Sequence, residues 1–141
     1  MASKDNAFIL EGRAGSLANY PHARRVGDLF FISGISSRRP DNSHEGVEIA
    51  DDGTVTRHIK AQTRAVIENV RVILKAAGLD LDALVDCTTF LTDMTNYAGY
   101  NAVYDEYFEA ATGPSRTTVA VHQLPHPNLL IEMKFVASFS A

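Results

Sequence analysis

The sequence predicts an α+β fold in which two amphipathic helices cover one face of a mixed β-sheet. Three observations predict it. Two segments carry apolar residues at helical spacing, and several others are rich in β-branched and aromatic residues between turn residues. The two kinds also interleave along the chain as β-β-α-β-α-β-β. At 141 residues the chain reads as one domain spanning 1–141, with no room for a second independent core.

A short strand is expected near Phe8–Leu10 and a longer one over Arg25–Ile35. The polar stretch Ser36–Gly46 then reads as a loop of the kind that carries function more often than packing. Between Thr56 and Gly78, the residues Ile59, Val66, Ile67, Val70, Ile73, Leu74 and Ala77 fall on one helical stripe. Thr56 suits the N-cap, and Gly78 after Lys75 suits the C′ position. A strand over Leu84–Thr92 follows. Asn96–Ala111 is the second helix, with Tyr97, Tyr100, Val103, Tyr104, Tyr107 and Phe108 on one face, ending before Gly113-Pro114. Strands over Arg116–Leu124 and Leu129–Phe139 complete the chain.

Side chains alternate faces along a strand, so Ile131, Met133, Phe135, Ala137 and Phe139 form one apolar face, expected under the helices. The opposite face, Leu130, Glu132, Lys134 and Val136, is half apolar. The strand over 84–92 is likewise at least half apolar on both sides, with Val85, Cys87, Thr89 and Leu91 on one and Leu84, Asp86, Thr88 and Phe90 on the other. A sheet face left to water would be mostly polar, so a second subunit is expected to cover it.

With 45% hydrophobic and 21% charged residues, the composition excludes disordered, collagen-like and disulfide-scaffold classes. Thirteen basic against seventeen acidic residues give a net charge of -4, so nucleic acid is not an expected partner. No apolar run approaches the ~20 residues that span a bilayer, and the polar start Met1–Asn6 precedes no signal-type apolar region. Neither membrane association nor secretion is expected, and the cytoplasm is the expected location. The single cysteine, Cys87, cannot form an internal disulfide and agrees with a reducing compartment.

No GxSxG, P-loop, GxGxxG, HExxH or CxxC motif occurs. His122 and His126 have an H-x3-H spacing, but Leu124-Pro125 between them breaks any shared helical face, so turn histidines are favoured over a metal site. Cys87, amid apolar neighbours in a strand, reads as a buried inert thiol. What remains is Gly113-Pro114-Ser115-Arg116-Thr117-Thr118-Val119 opening one strand and Leu129-Leu130-Ile131-Glu132-Met133 in the next. An arginine after a Gly-Pro turn can present its fork to a carboxylate, and a nearby carboxylate can act as acid or base on the same ligand. From the residues alone, a cross-strand salt bridge between Arg116 and Glu132 is the favoured reading and a ligand site the other.

The stretch Ser115–Val119 through Leu124-Pro125 to Ile131-Glu132-Met133, with Thr89–Met94, Tyr100–Phe108, Val26–Gly34 and Asn69–Gly78, resembles the reactive intermediate deaminase (Rid) family over nearly the whole chain from Asn19. The resemblance implies a chorismate-mutase-like sandwich assembled as a homotrimer, with sheets facing inward and active sites in the clefts between subunits. It implies hydrolysis of enamines and imines, usually derived from amino acids, to carbonyl compounds and ammonia without metal or cofactor. By motif, Arg116 resembles the arginine that holds the substrate carboxylate and Glu132 the glutamate that positions water. Tyr20 resembles the tyrosine lining the cleft, and Gly34 a glycine at its floor.

Thr118 stands where many members carry cysteine, Ile35 and His22 replace common glutamines, and the loop from Ser36 to Asp52 is longer than usual. With the Asn19-Tyr20-Pro21-His22-Ala23 segment, that loop is most similar to the bacterial 2-aminomuconate deaminase branch. The implied substrate is therefore a small dicarboxylate. Its distal carboxylate is expected at Arg38 and Arg39, with His22 and Arg24 as the alternative. A general 2-imino acid deaminase and a non-enzymatic, chaperone-like or regulatory Rid protein are the competing expectations. Chorismate-mutase chemistry has only the fold analogy behind it.

Overall fold

The computed structural model describes residues 6–141; the polar start Met1–Asp5 lies outside them. Eight strands and two helices follow in the order β1 (Ala7–Phe8), β2 (Ala23–Val26), β3 (Leu29–Ile35), β4 (Val47–Ile49), β5 (Val55–Arg57), α1 (Ile59–Ala76), β6 (Leu84–Leu91), α2 (Tyr97–Tyr107), β7 (Ser115–Ala120) and β8 (Ile131–Ser138). Six strands form one sheet in the order β1-β2-β3-β8-β6-β7, while β4 and β5 form a separate hairpin. Every pair is antiparallel except β6 with β7, which are parallel because α2 crosses between them. The two helices and the mixed sheet match the expected α+β class.

α1 is where its periodicity puts it. Val66, Ile67, Val70, Ile73 and Leu74 are buried against the sheet, and Gly78, at φ 77°, takes the left-handed turn after the helix. The helix start differs from expectation. Thr56 lies in β5, paired with Glu48, and His58 precedes the first turn without a side-chain cap. The hairpin consumed the residue that local preference would have used as a cap. On the same stripe sits a buried glutamine, Gln62. Its amide nitrogen donates to the Asn128 carbonyl at 2.9 Å, and its oxygen accepts from the Leu130 amide at 2.9 Å, anchoring the segment that enters β8.

Three strand expectations are corrected. Arg25–Ile35 is not one strand but β3 together with half of β2, joined by the two-residue turn Gly27-Asp28, with Val26 opposite Leu29. The strand expected to run to Leu124 ends at Ala120, short of the Leu124-Pro125 turn. The loop over 36–52 contains β4 of the second hairpin and a bridge between Arg38 and His44. α2 also ends sooner than expected, at Tyr107, because Phe108 turns to extended backbone and packs against Tyr104 and Phe135.

The faces of β8 follow the alternation. Ile131, Met133, Phe135 and Ala137 are wholly buried beneath the helices, while Phe139 lies just past the strand and packs edge-on to Phe30. In β6 the alternation breaks once. A register shift between Leu84 and Asp86 turns Leu84 into the core and Val85 outward. On the face away from the helices, Phe31, Leu29 and Val85 remain substantially exposed.

Candidate active site

Glu132 sits on β8 between the buried Ile131 and Met133, and so points to the face opposite the helices. Its in-register neighbour on β6 is Phe90, and on the other side the last β3–β8 pair, Ile35 with Met133, follows an irregular stretch of β3 between Ile32 and Ile35. Gly34 lies in that stretch. A Cβ built there would stand 2.2 Å from Glu132 Oε1, so the carboxylate is seated on the glycine and requires the missing side chain. Burial raises the carboxyl above its ordinary value of 4.5, and among the described residues no cation opposes that shift. Lys134, two residues on, donates to the Ile32 carbonyl at 3.3 Å.

Arg116 is the second residue of β7 and stands opposite Cys87, which in turn pairs with Phe135; both partners are buried under the helices, so Arg116 shares the helix-covered face. Its guanidinium stands 4.7 Å from the Tyr104 ring centre and 4.9 Å from that of Tyr100, and donates to the Tyr97 hydroxyl at 3.1 Å. Among the described residues it has no carboxylate partner. The expected cross-strand salt bridge with Glu132 does not form. β6 separates β7 from β8, and the two side chains leave opposite faces of the sheet.

Thr118, on the same face as Arg116, lies 3.5 Å from the Tyr100 hydroxyl, which is 2.7 Å from the Thr89 hydroxyl. Burial pushes the Cys87 thiol beside this network up to about 11, in keeping with an inert cysteine. Among the described residues, no group of three or more His, Cys, Asp or Glu side chains is placed to hold a metal ion.

The other candidates gather at the Gly34 end. Tyr20, half exposed, lines a small cleft with Pro21, Ser33, Gly34 and Arg38. His22 lines it too, but both ring nitrogens are spent on backbone. Nδ1 accepts from the Leu10 amide at 3.0 Å, and Nε2 donates to the Ala14 carbonyl at 2.9 Å. His22 therefore fastens the segment before Tyr20. Arg38 donates to the Asn42 side chain at 3.1 Å and to the Gly15 carbonyl. Arg39 turns the other way, into an ion pair with Glu45 at 2.7 Å. One chain thus gathers Tyr20, His22, Gly34 and Arg38 around one cleft, seats Glu132 against Gly34, and leaves Arg116 and Thr118 apart from them.

Sequence reasoning passed over two residues that hold this end in place. Gln62 anchors the entry to β8, and Asn69 donates to the carbonyls of Ser36 and Arg38 while accepting from Arg13. Both are polar side chains on the sheet-facing side of an amphipathic helix, a signal that could have singled them out.

The comparisons fit this architecture. The family model described as Endoribonuclease L-PSP matches residues 11–139. The chain belongs to the Rid/YjgF/L-PSP family. A RutC family protein of Pyrococcus horikoshii is 37% identical over 130 residues, 92% of this chain and 94% of its own. TdcF of Escherichia coli, provisionally named a reactive intermediate deaminase, is 30% identical over 129 residues, 90% of this chain and 92% of its own. Among solved structures, the yeast protein YEO7 superposes with a TM-score of 0.79 at 32% identity, covering 94% of this chain and 96% of that one. Escherichia coli TdcF, crystallised with bound serine, superposes with a TM-score of 0.74 at 28% identity, covering 93% and 97%. In the Rid/YjgF/L-PSP chain described here, no helix among the described residues is long and apolar enough to cross a membrane.

Proposed function

We propose that this chain is a hydrolytic deaminase of enamine and imine carboxylates, acting on 2-aminomuconate to give 4-oxalocrotonate and ammonia in aromatic-amine or tryptophan-derived catabolism in the cytoplasm. The observation that carries the reading is the separation of two complementary groups. Among the described residues, Glu132 is a half-buried carboxylate with no cation beside it, and Arg116 is a guanidinium with no carboxylate, near the start of a strand paired on one side only. Each lacks the partner that the other supplies. A second copy of the chain, packed on the open sheet face of a homotrimer, completes the site between subunits.

In that cleft Arg116 of one copy grips the carboxylate beside the nitrogen-bearing carbon. Glu132, held protonated more readily than an exposed glutamate, delivers a proton to the enamine carbon to form the imine. The resulting carboxylate then orients a water onto C=N. The tetrahedral carbinolamine collapses with loss of ammonia, so one water is consumed and one ammonia released. Positioning and proton transfer suffice, with no metal or cofactor. The net charge of -4 disfavours an RNA-cleaving role. TdcF, with its deaminase name and bound serine, supports an amino-acid-like carboxylate as the ligand class.

The test is ammonia release from freshly generated 2-aminomuconate compared with a simple 2-imino acid. Faster release from the former supports the full reading. Faster release from the latter replaces it with a general 2-imino acid deaminase, and release at the buffer rate from both overturns it.

A further inference from the structure

Two arginines near Gly34 have only neutral partners among the described residues. Arg13 donates to the Asn69 side chain, and Arg38 to Asn42 and to the Gly15 carbonyl. The carboxylates around them are already engaged: Glu45 with Arg39 and Glu68 with Arg71. Both arginines line a cleft of about 60 Å³ whose other walls include His22, Gly34, Ile35 and Asn69. The space is room for a carboxylate-sized group, since one water occupies about 30 Å³ of liquid. A groove on the outer side, against α1, is lined by the same two arginines and by Ser37. Ser37 is 1% exposed, and its hydroxyl has no hydrogen-bond partner among the described residues.

Two half-buried guanidiniums without counter-charge form a strong recognition element for an anion, because each can exchange a neutral acceptor for a charged one. We propose that Arg13 and Arg38 together form the subsite for the second carboxylate of a dicarboxylate substrate, with Arg13 taking the place expected of Arg39. The geometry supplies the connection to the reacting centre. Gly34 is at once a wall of the Arg13–Arg38 cleft and the seat of the Glu132 carboxylate. Gly34 is then the residue that a ligand with one carboxylate in the cleft passes to reach Glu132. Asn69 aligns the pair, accepting from Arg13 while its amide holds the Arg38 carbonyl. The ligand's identity, though not the anion site, rests on the deaminase reading.

The test compares cis,cis-muconate with sorbate, two unreactive six-carbon dienes that carry two carboxylates and one. Their dissociation constants are measured by calorimetry for the parent and for Arg13→Gln combined with Arg38→Gln. The parent is expected to prefer muconate by tenfold or more, and the double variant to bind the two within about twofold of each other. A parent without preference, or a double variant that keeps the parental preference, overturns the proposal. If the double variant does not fold, Arg13→Lys serves in its place. It keeps the charge but loses the fork, and the preference is expected to fall at least threefold; an unchanged preference overturns the proposal. Ammonia release is measured in parallel. Its absence from every imine with the muconate preference intact defeats the deaminase reading and leaves the anion subsite standing, whereas active turnover without that preference does the reverse.

Discussion

The Glu132 carboxylate lies where the side chain of any residue larger than Gly34 would begin, with Oε1 2.2 Å from the Cβ position of the glycine. The clash involves the far end of a flexible side chain rather than backbone, so a methyl group there displaces the carboxylate without breaking the sheet.

Gly34→Ala is therefore expected to keep the fold and lose activity. A catalytic group misplaced by about 1 Å can cost roughly a hundredfold in rate. The melting temperature and kcat/KM of the variant check this. Combining Gly34→Ala with Glu132→Gln should cost no more than Glu132→Gln alone, because both remove the same carboxylate from the same place. Additive losses would mean that the glycine acts elsewhere.

Arg116→Ala is expected to lower kcat/KM by about 30-fold to several thousandfold, the equivalent of ~2–5 kcal/mol for a charge pair that loses one member on leaving water. Stability should change little, since the guanidinium stacks on tyrosine rings that are packed without it. Arg116→Lys should recover only part of the rate, as an ammonium does not reproduce the planar fork. Near-parental activity in a folded, assembled Arg116→Ala protein would remove this residue from the mechanism.

Glu132→Gln separates activity from stability. The rate is expected to fall by about 10²–10⁴, the usual contribution of a positioned acid–base group. The folded state raises this carboxyl above its ordinary 4.5, so it holds the proton more tightly than the unfolded chain does. The stability from that proton is full below the unfolded value and is lost as pH rises through the folded one. The parent should therefore lose ground to the glutamine variant as pH increases toward neutrality. Melting curves from pH 4 to 8 that stay parallel would show that burial does not strain the charged form.

Val136→Asp tests the open sheet face. Val136 stands between Phe31 and Asp86 in register, so an aspartate there meets Asp86 across the strands and carries charge into any interface that covers it. The parent is expected to sediment at about three times the 15.4 kDa chain mass, and the variant at the single-chain mass or unfolded. A parent that is a stable, active monomer would contradict the assembly.

Much of this was legible in the sequence because it depends on local periodicity. The α1 stripe from Val66 to Leu74 and the alternation of Ile131, Met133, Phe135 and Ala137 are set by residues a few positions apart, and each buries the face its pattern marks. The Gly27-Asp28 turn and the β4–β5 hairpin were missed because a two-residue turn inside an apolar run, or a short strand inside a polar one, barely disturbs that periodicity. The paths of Arg38 and Arg39 were equally illegible. Adjacent in the chain, one reaches Gly15 and the other Glu45, a choice made by which elements the loop meets in space.

Local patterning set the helices, the buried face of the last strand, the inert Cys87 and the residue types that carry the proposed chemistry. Which of those residues meet depends on how the elements assemble in space. Strand order is a long-range property. The crossover through α2 returns β7 parallel and adjacent to β6, which places β6 between β7 and β8 and parts Arg116 from Glu132. Spacing along the chain cannot reveal that separation, because Gly113–Val119 and Leu129–Met133 are consecutive strands in sequence and non-neighbours in the sheet.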